Sequence, residues 1–483
     1  MKKNVIYLSI LFATLFIVSC SESFLDVNTD TNSPTSDVVG PELILPGAQW
    51  YTAETIFRDR YTNTLGNMFM YNWSQADGFS WYNDEFLYNV TSSFYARIWD
   101  LTYRNCLKQY AVLRNYTGDE YVNYRAIGKI MESFHFQILV DLYGDIPYSE
   151  ALLRGANPTP KYDDAQEVYN GIIATLDEAM MMIDEAGDTA IVPGDDDITF
   201  GGDMAMWKVF ANTIKLRVLV RQGGGDFSGM TDIGFMEDEV MVQPGYAQLA
   251  NQQSPFWNAY GLDVAGGIIN NNDATCATDY ILEYMQDRND PRIDYIYEEP
   301  ATGHLGVFQG LLDYDSPVVD QFEPSKVSNL GPGILKSPSQ PAGIFMAADS
   351  YFLQAEAIQR GFITGDAQTA YENGIQASFD YLGAGSASTY YNQTLPNVGW
   401  SNSPDKLEAI ITQKWLGLNS VDAVQSWFDY TRTGFPSNLP ISALASTPDR
   451  PVRLFYPASE VTANNANVPP QANAFTDKIF WAN

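Results

Sequence analysis

The segment Tyr71-Asn72-Trp73-Ser74-Gln75-Ala76-Asp77-Gly78-Phe79-Ser80-Trp81-Tyr82-Asn83 interleaves aromatic rings with amides and carries no helical stripe. Aromatic faces cover the apolar C–H side of a pyranose, while amides and carboxylates hydrogen-bond its hydroxyls, so this mixture suits a sugar. Asn72, Trp73, Gln75, Trp81, Tyr82 and Asn83 are its candidate ligand contacts. The competing reading has Trp73 and Trp81 plugging the core beneath a loop. A second stretch of the same kind holds Phe256, Trp257, Asn258 and Tyr260 with Asn270, Asn271 and Asn272, and offers Trp257, Tyr260 and Asn271 as contacts. Asp195, Asp196 and Asp197 cluster carboxylates as a calcium ion requires, although an acidic run beside Gly194 is also what a solvated turn looks like. Beyond that calcium candidate no cofactor is expected. Asp26, Asn28, Asp30 and Asn32 mimic the opening of a calcium loop, but Thr31 and Asp37 stand where glycine and glutamate are needed.

Hydrolysis finds no comparable support. With 59 acids in the chain, a carboxylate pair at glycosidase spacing can be found almost anywhere and proves nothing. No Gly-x-Ser-x-Gly elbow, phosphate loop or His-Glu-x-x-His is present. The two histidines limit any imidazole chemistry: His135 lies on the apolar side of a helical pattern and reads as a satisfied core residue, and His304 sits in a loop. Binding without catalysis is the simpler expectation, and no catalytic residue is assigned.

The 3 cysteines divide by position. Lys2 and Lys3 precede an apolar run from Val5 to Val18 that stops at Ser19-Cys20, the layout of an export signal. The run is shorter than the ~20 residues of a spanning helix, so residues 1–19 read as a cleaved leader. Ile17-Val18-Ser19-Cys20 resembles a bacterial lipobox, in which the thiol carries a diacylglycerol thioether and becomes the mature N-terminus. At ~0.8 kcal/mol per buried methylene, several acyl chains anchor a protein stably without a spanning segment. Residues 20–40 form a polar tether, and the body runs from 41 to 483. Cys106 and Cys276 cannot make a disulfide scaffold; they read as free thiols, with a single bridge as the other option. The formal charge of −32 argues against nucleic acid and against anionic lipid surfaces. An aromatic share of 14%, with 30 tyrosines and 10 tryptophans, exceeds what a core needs and points to a binding surface.

The elements that must hold these residues are mostly helices. Ile127, Met131, Phe134, Ile138 and Leu142 line one face of a helix over 125–143 that Gly144 and Pro147 stop. Val168, Ile172, Leu176, Met180 and Ile183 define the next, entered at Asp164 with Glu167 three residues on, a capping-box pattern. A third stripe follows Asp203 through Trp207, Phe210, Ile214 and Val218; a fourth passes through Leu407, Ile410, Ile411 and Leu418, with Ser403 as cap and Pro404 at the first helical position. Tyr351 to Gly361 adds a fifth. The expected class is all-α, paired helices with degenerate tetratricopeptide-type repeats, interrupted by long irregular segments at 63–93, 222–278, 297–345 and 382–403, where binding residues usually sit.

The body is similar to the SusD/RagB family of outer-membrane nutrient-binding lipoproteins from Bacteroidetes. The resemblance spans nearly the whole chain. It begins with Phe24-Leu25-Asp26-Val27-Asn28-Thr29-Asp30 and Pro41-Glu42-Leu43-Ile44-Leu45-Pro46-Gly47, and continues through Asp141-Leu142-Tyr143-Gly144-Asp145-Ile146-Pro147 and Gly201-Gly202-Asp203. Asp290-Pro291-Arg292 and Ala355-Glu356-Ala357 follow. The most specific matches are Gln413-Lys414-Trp415-Leu416-Gly417-Leu418, Trp427-Phe428-Asp429-Tyr430-Thr431-Arg432-Thr433-Gly434 and Arg453-Leu454-Phe455-Tyr456-Pro457 with Glu460. One departure is Thr431, where the family often has a second arginine. The resemblance implies a right-handed superhelix of tetratricopeptide-like hairpins beside a larger irregular half. It also implies a TonB-dependent SusC-like outer-membrane barrel as partner, with the lipoprotein as a lid at the cell exterior. The expected function is capture of an oligosaccharide, or of a peptide, for that transporter. A surface glycoside hydrolase and a protein-binding scaffold are the competing classes.

Overall fold

The computed structural model describes residues 39–311 and 321–482. The leader, Cys20 and nearly all of the tether lie outside the described residues. From Pro41 to the C-terminus the chain is one unit, about 48% helical with a few short strands.

Helix α1 (Pro41–Phe57) starts on a proline, whose fixed φ suits the first turn. Helix α2 (Thr62–Phe69) follows at once and is buried at every position. Its apolar Leu65, Met68 and Phe69 share one face, but eight residues give that pattern too little length to stand out, which is why the helix was hidden inside the expected irregular segment 63–93. Strand β1 (Trp73–Gln75) comes next, then α3 (Ala96–Leu101) and a π-helical segment over Thr102–Leu107. Helix α4 (Val122–Tyr143) begins three residues before the expected start and ends where Gly144, at φ +80°, turns the chain away. Asp164 caps α5 (Ala165–Asp184) by accepting the Gln166 and Glu167 amides. Asp203 caps α6 (Met204–Gln222) through the Met206 amide, and Gly223 closes it in the left-handed region.

The irregular half then supplies β2 (Val240–Val242), α7 (Pro255–Tyr260), β3 (Thr275–Ala277) and β4 (Ala342–Phe345). β1 pairs antiparallel with β3, aligning Trp73 with Ala277, and β2 pairs antiparallel with β4. The chain returns to long helices with α8 (Ala347–Gln359), α9 (Ala367–Leu382), α10 (Lys406–Gly417) and α11 (Ala423–Thr433). The expected cap of α10 is corrected. Asp405 accepts the Leu407 and Glu408 amides, while the Ser403 hydroxyl is turned back to donate to the Gly399 carbonyl. A carboxylate is the stronger acceptor for a helix N-terminus, so it takes the position.

Helices pack mainly on sequence neighbours: α4 on α5, α5 on α6, α8 on α9, and α10 on both α8 and α9. Distant segments are joined where α2 meets α11. A Cβ on Gly66 would lie 2.1 Å from the Val424 nitrogen, so only glycine allows the two backbones to approach. Cys106 and Cys276 are buried and unbridged. No helix among the described residues is long and apolar enough to cross a membrane.

A buried ionic lattice ties α4, α6, α8, α10 and α11 together. Lys414 Nζ lies 2.6 Å from Asp349 and 2.8 Å from Asp429. Arg221 pairs with Asp141, Arg217 lies 3.5 Å from Asp349, and Arg432 grips Glu356 at 2.6 and 2.8 Å. These four cations already balance Asp141, Asp349, Asp429 and Glu356. Asp422 is buried beside them, and burial pushes its carboxyl up to about 8 despite Arg217 and Lys414 nearby. Its folded pKa therefore lies above its unfolded value, and the folded state holds one extra proton between about pH 4 and pH 8. Stability from this group is complete at the acidic end and is lost as pH rises. We expect D422N to flatten the decline by about 1 kcal/mol per pH unit between pH 6 and 8, measured by urea unfolding; parallel curves for the two proteins refute a protonated Asp422.

Candidate functional site

The two segments singled out by composition, 71–83 and 256–272, are packed against each other. The Trp73 and Tyr260 rings meet edge to face, with centroids 5.2 Å apart. The Tyr82 hydroxyl bonds the Thr275 hydroxyl at 2.8 Å, and the Asn272 amide donates to the Tyr260 carbonyl at 2.7 Å. The pairing of β1 with β3 aligns the backbones that carry both.

Much of this contact is core. Asn72, Trp73, Gln75, Tyr82 and Tyr260 are all buried, and their polar atoms are used internally. The Trp73 indole donates to Ser420 at 2.9 Å, and Asn72 Oδ1 accepts the Trp415 indole at 2.7 Å. Gln75 closes its own loop, donating to the Phe79 carbonyl and accepting the Trp81 amide. At these five expected ligand contacts the side chains are buried and bonded within the protein, and a buried side chain whose donors and acceptors are matched has none left for a ligand. Trp81 is half-buried, with its ring edge-on to Phe79, and Asn83 is exposed. Trp257 is half-buried and lies flat on its own helix end; a Cβ on Gly261 would come within 2.5 Å of the indole. Asn271 faces an open cleft.

That cleft, of about 510 Å³, is where the exposed margin of the second segment meets α3. Arg58, Asp59 and Tyr61 enter from the turn after α1, Asn258 and Ala259 from α7, and Asn271 from a short helix just before β3. Arg97, Asp100 and Arg104 form the facing wall. Their spacing of three and four residues puts them on one helix face, across the junction of α3 with the π-helical segment. π-helical turns recur at functional sites.

The cleft's charges are held differently from one another. Arg58 pairs with Glu54 at 2.5 Å. Asp59 Oδ1 accepts the Tyr260 hydroxyl at 3.3 Å. Asp100 Oδ1 accepts the Ser459 hydroxyl at 2.9 Å. Arg60, next to Asp59, donates to the Trp81 backbone carbonyl at 2.5 Å. It also lies 3.7 Å from Glu85, whose carboxyl burial raises to about 7. The side-chain amides of Asn258 and Asn271 make no hydrogen bond within the protein. The arrangement offers carboxylate acceptors, amide donors and guanidinium groups to one polar ligand. Sequence composition missed Asp59, Arg97, Asp100 and Arg104, because charged residues on short helices look like ordinary solvated surface.

At the calcium candidate Asp195 to Asp197, two of the three carboxylates are engaged within the protein. Asp197 is buried and accepts from Gln49 at 2.6 Å, the Gly202 amide at 3.0 Å and the Trp207 indole at 2.8 Å. N–H donors fill its lone pairs, which leaves none for a cation. Asp196 accepts the Tyr124 hydroxyl at 2.9 Å. His135 is the neutral core histidine expected: its Nε2 meets Thr52 Oγ1 at 2.9 Å, and burial lowers its pKa to about 3. His304 lies 3.0 Å from Asp294, and these two with Glu299 bring an imidazole nitrogen and two carboxylates together at the surface.

Comparison with known proteins accords with this architecture. The SusD-like family described as starch-binding, associating with outer membrane, matches residues 35–457. A chitin-binding SusD homologue from Flavobacterium johnsoniae superposes with a TM-score of 0.74 at 22% identity, covering 91% of this chain and 98% of its own. A SusD homologue from Bacteroides uniformis gives 0.72 at 22% identity, covering 91% and 99%. A chitin-binding protein gives 0.71 at 23% identity, covering 92% and 100%. No curated relative matches the chain by sequence.

Proposed function

Because the chain belongs to the SusD-like family, starch-binding and associating with outer membrane, we propose that it is a lipid-anchored surface protein that captures an oligosaccharide in the cleft between α3 and α7. It passes the ligand to a TonB-dependent SusC-like barrel. The observation that carries the reading is the convergence of Asp59, Asn258 and Asn271 on one open cleft. Carboxylate and amides match the paired donor and acceptor character of sugar hydroxyls. Relatives of this fold are binding proteins, two of them described as chitin-binding, and no step of the reading requires catalysis. The lipid at Cys20 supplies the membrane attachment, and the paired helices of the body supply a tetratricopeptide-like superhelix.

Calorimetry with a panel of soluble oligosaccharides tests the proposal. N258A and N271A are each expected to weaken the bound glycan about 10-fold, near 1.4 kcal/mol, without moving the thermal midpoint. A glycan that binds both variants at full strength sits elsewhere on the protein. Release of shorter products during incubation transfers the chain to the enzyme class. The transport step is tested separately, by recovery of a large barrel protein with the tagged chain from outer membranes.

A further inference from the structure

Charge is distributed unevenly in this protein. Its 27 basic residues face 59 acids, and Arg114, Arg217, Arg221, Arg292, Arg360 and Arg432 each sit against a carboxylate. Arg97 and Arg104 do not. Both are exposed, and among the described residues neither has a carboxylate within ion-pair distance; there Arg104 donates only to Asn105 at 3.1 Å, and Arg97 to nothing. They stand seven residues apart on one helix face and open on the cleft of about 510 Å³. An acidic surface that leaves two guanidinium groups free in one concavity has built a local attraction for anions against its own overall field.

The rest of the lining points the same way. Tyr61 is the aromatic residue of the cleft wall, and it is only 4% exposed. The concavity therefore lacks a broad ring platform of its own, on which a neutral pyranose relies for much of its affinity. Its polar groups must supply that affinity. Planar guanidinium forks bind carboxylates and sulfates through two parallel hydrogen bonds. Asp59 and Asp100 accept from hydroxyls, and Asn258 and Asn271 donate to them.

We propose that the cleft selects an acidic oligosaccharide, with Arg97 and Arg104 gripping carboxylate or sulfate groups while Asp59, Asn258 and Asn271 bind neighbouring hydroxyls. This deepens the reading of the cleft as a glycan site and rests on it. The free arginines give binding a signature that neutral sugars lack, since charge pairing in an open cleft is screened by salt.

The experiment is calorimetry on the full chain in mild detergent. Acidic probes are oligogalacturonate, oligoalginate and a sulfated carrageenan oligosaccharide; neutral probes are chitopentaose and maltoheptaose. The expected result is binding of an acidic probe that weakens at least 5-fold between 50 and 300 mM salt. It should weaken about 30-fold in R97Q/R104Q, whose exposed side chains leave the thermal midpoint unchanged. Carboxylated and sulfated probes identify which acid is read. If instead a neutral probe binds, responds to N271A and ignores R97Q/R104Q, the acidic assignment falls while the glycan site stands. If no acidic probe binds, the inference is overturned; if neutral probes fail as well, the glycan reading of the cleft falls with it.

Discussion

Replacing Lys414 by methionine is expected to remove about 3–5 kcal/mol of folding stability, the usual consequence of deleting one partner of a buried ion pair. Methionine keeps most of the stem's volume, so the loss measures charge and not a cavity. Lys414 is 1% exposed and its ammonium is shared by Asp349 and Asp429. Without it, Asp349 retains Arg217 at 3.5 Å and Asp429 retains Arg432 at 3.1 Å, contacts too long or too oblique to replace a centred ammonium. Burial tends to raise Asp429, and Lys414 is the largest influence holding it below the usual carboxylate range. The matched control is K208M. Lys208 meets Asp184 at 2.7 Å, but that carboxylate is 55% exposed, and such surface pairs contribute at most about 1 kcal/mol. Urea unfolding of both variants decides the matter. Equal losses in the two would mean that the lattice does not hold α10 to its neighbours.

The same lattice explains what the sequence patterns were reporting. Gln413-Lys414-Trp415 contributes Gln413 to Arg292 at 2.9 Å, Lys414 to the two aspartates, and the Trp415 indole to Asn72 at 2.7 Å. Asp290-Pro291-Arg292 folds into a buried internal pair at 2.6 Å. Trp427 donates to the Pro451 carbonyl at 2.8 Å, and Arg432 ties α11 to Glu356 of α8. Thr431, in place of a second arginine, is buried beside this network and leaves it balanced. The described residues that carry the family resemblance thus hold the fold, and none of them lines the cleft beside α3. That is why fold class was readable from the chain while the site was not.

Helices with a wet and a dry face were equally readable: α4, α5 and α6 fall close to their expected bounds. Helix α2 was not, because its eight residues are too few for the periodic pattern to stand out. The site failed to show for a different reason. Aromatic and amide composition pointed to 71–83 and 256–272, of which only the second contributes to the cleft lining, since rings and amides are used both to fill a core and to line a cleft. Composition cannot tell the two uses apart. Trp73 and Trp81 are eight residues apart in one polar segment, yet one is sealed against Tyr260 and Ser420 and the other borders solvent. Arg97 and Arg104 gained meaning only from what the fold denies them, a carboxylate partner.

Asp59 is the cleft residue whose removal is expected to cost binding most. It lines the cavity with a carboxylate, and hydrogen bonds to a charged acceptor contribute about 1.5–3 kcal/mol each, roughly twice a neutral one. D59A is expected to weaken the captured glycan about 100-fold, near 2.7 kcal/mol. D59N, which keeps the shape and one acceptor oxygen, should lose about 10-fold. The loss belongs to the ligand and not to the fold, because the group that Asp59 supports has a second partner. The Tyr260 hydroxyl lies 3.3 Å from Asp59 but 2.7 Å from the Thr64 hydroxyl, so removing the carboxylate leaves the buried phenol satisfied. Arg60 likewise keeps its bond to the Trp81 carbonyl, and its nearest approach to Asp59 is only 3.9 Å. The thermal midpoint of D59A should therefore stay within a degree or two of the parent while affinity collapses. Should D59A bind as tightly as the parent, the hydroxyl-accepting wall is not Asp59 and the ligand lies outside the cleft. A fall in affinity that merely tracks a lowered midpoint would reassign Asp59 to structural support.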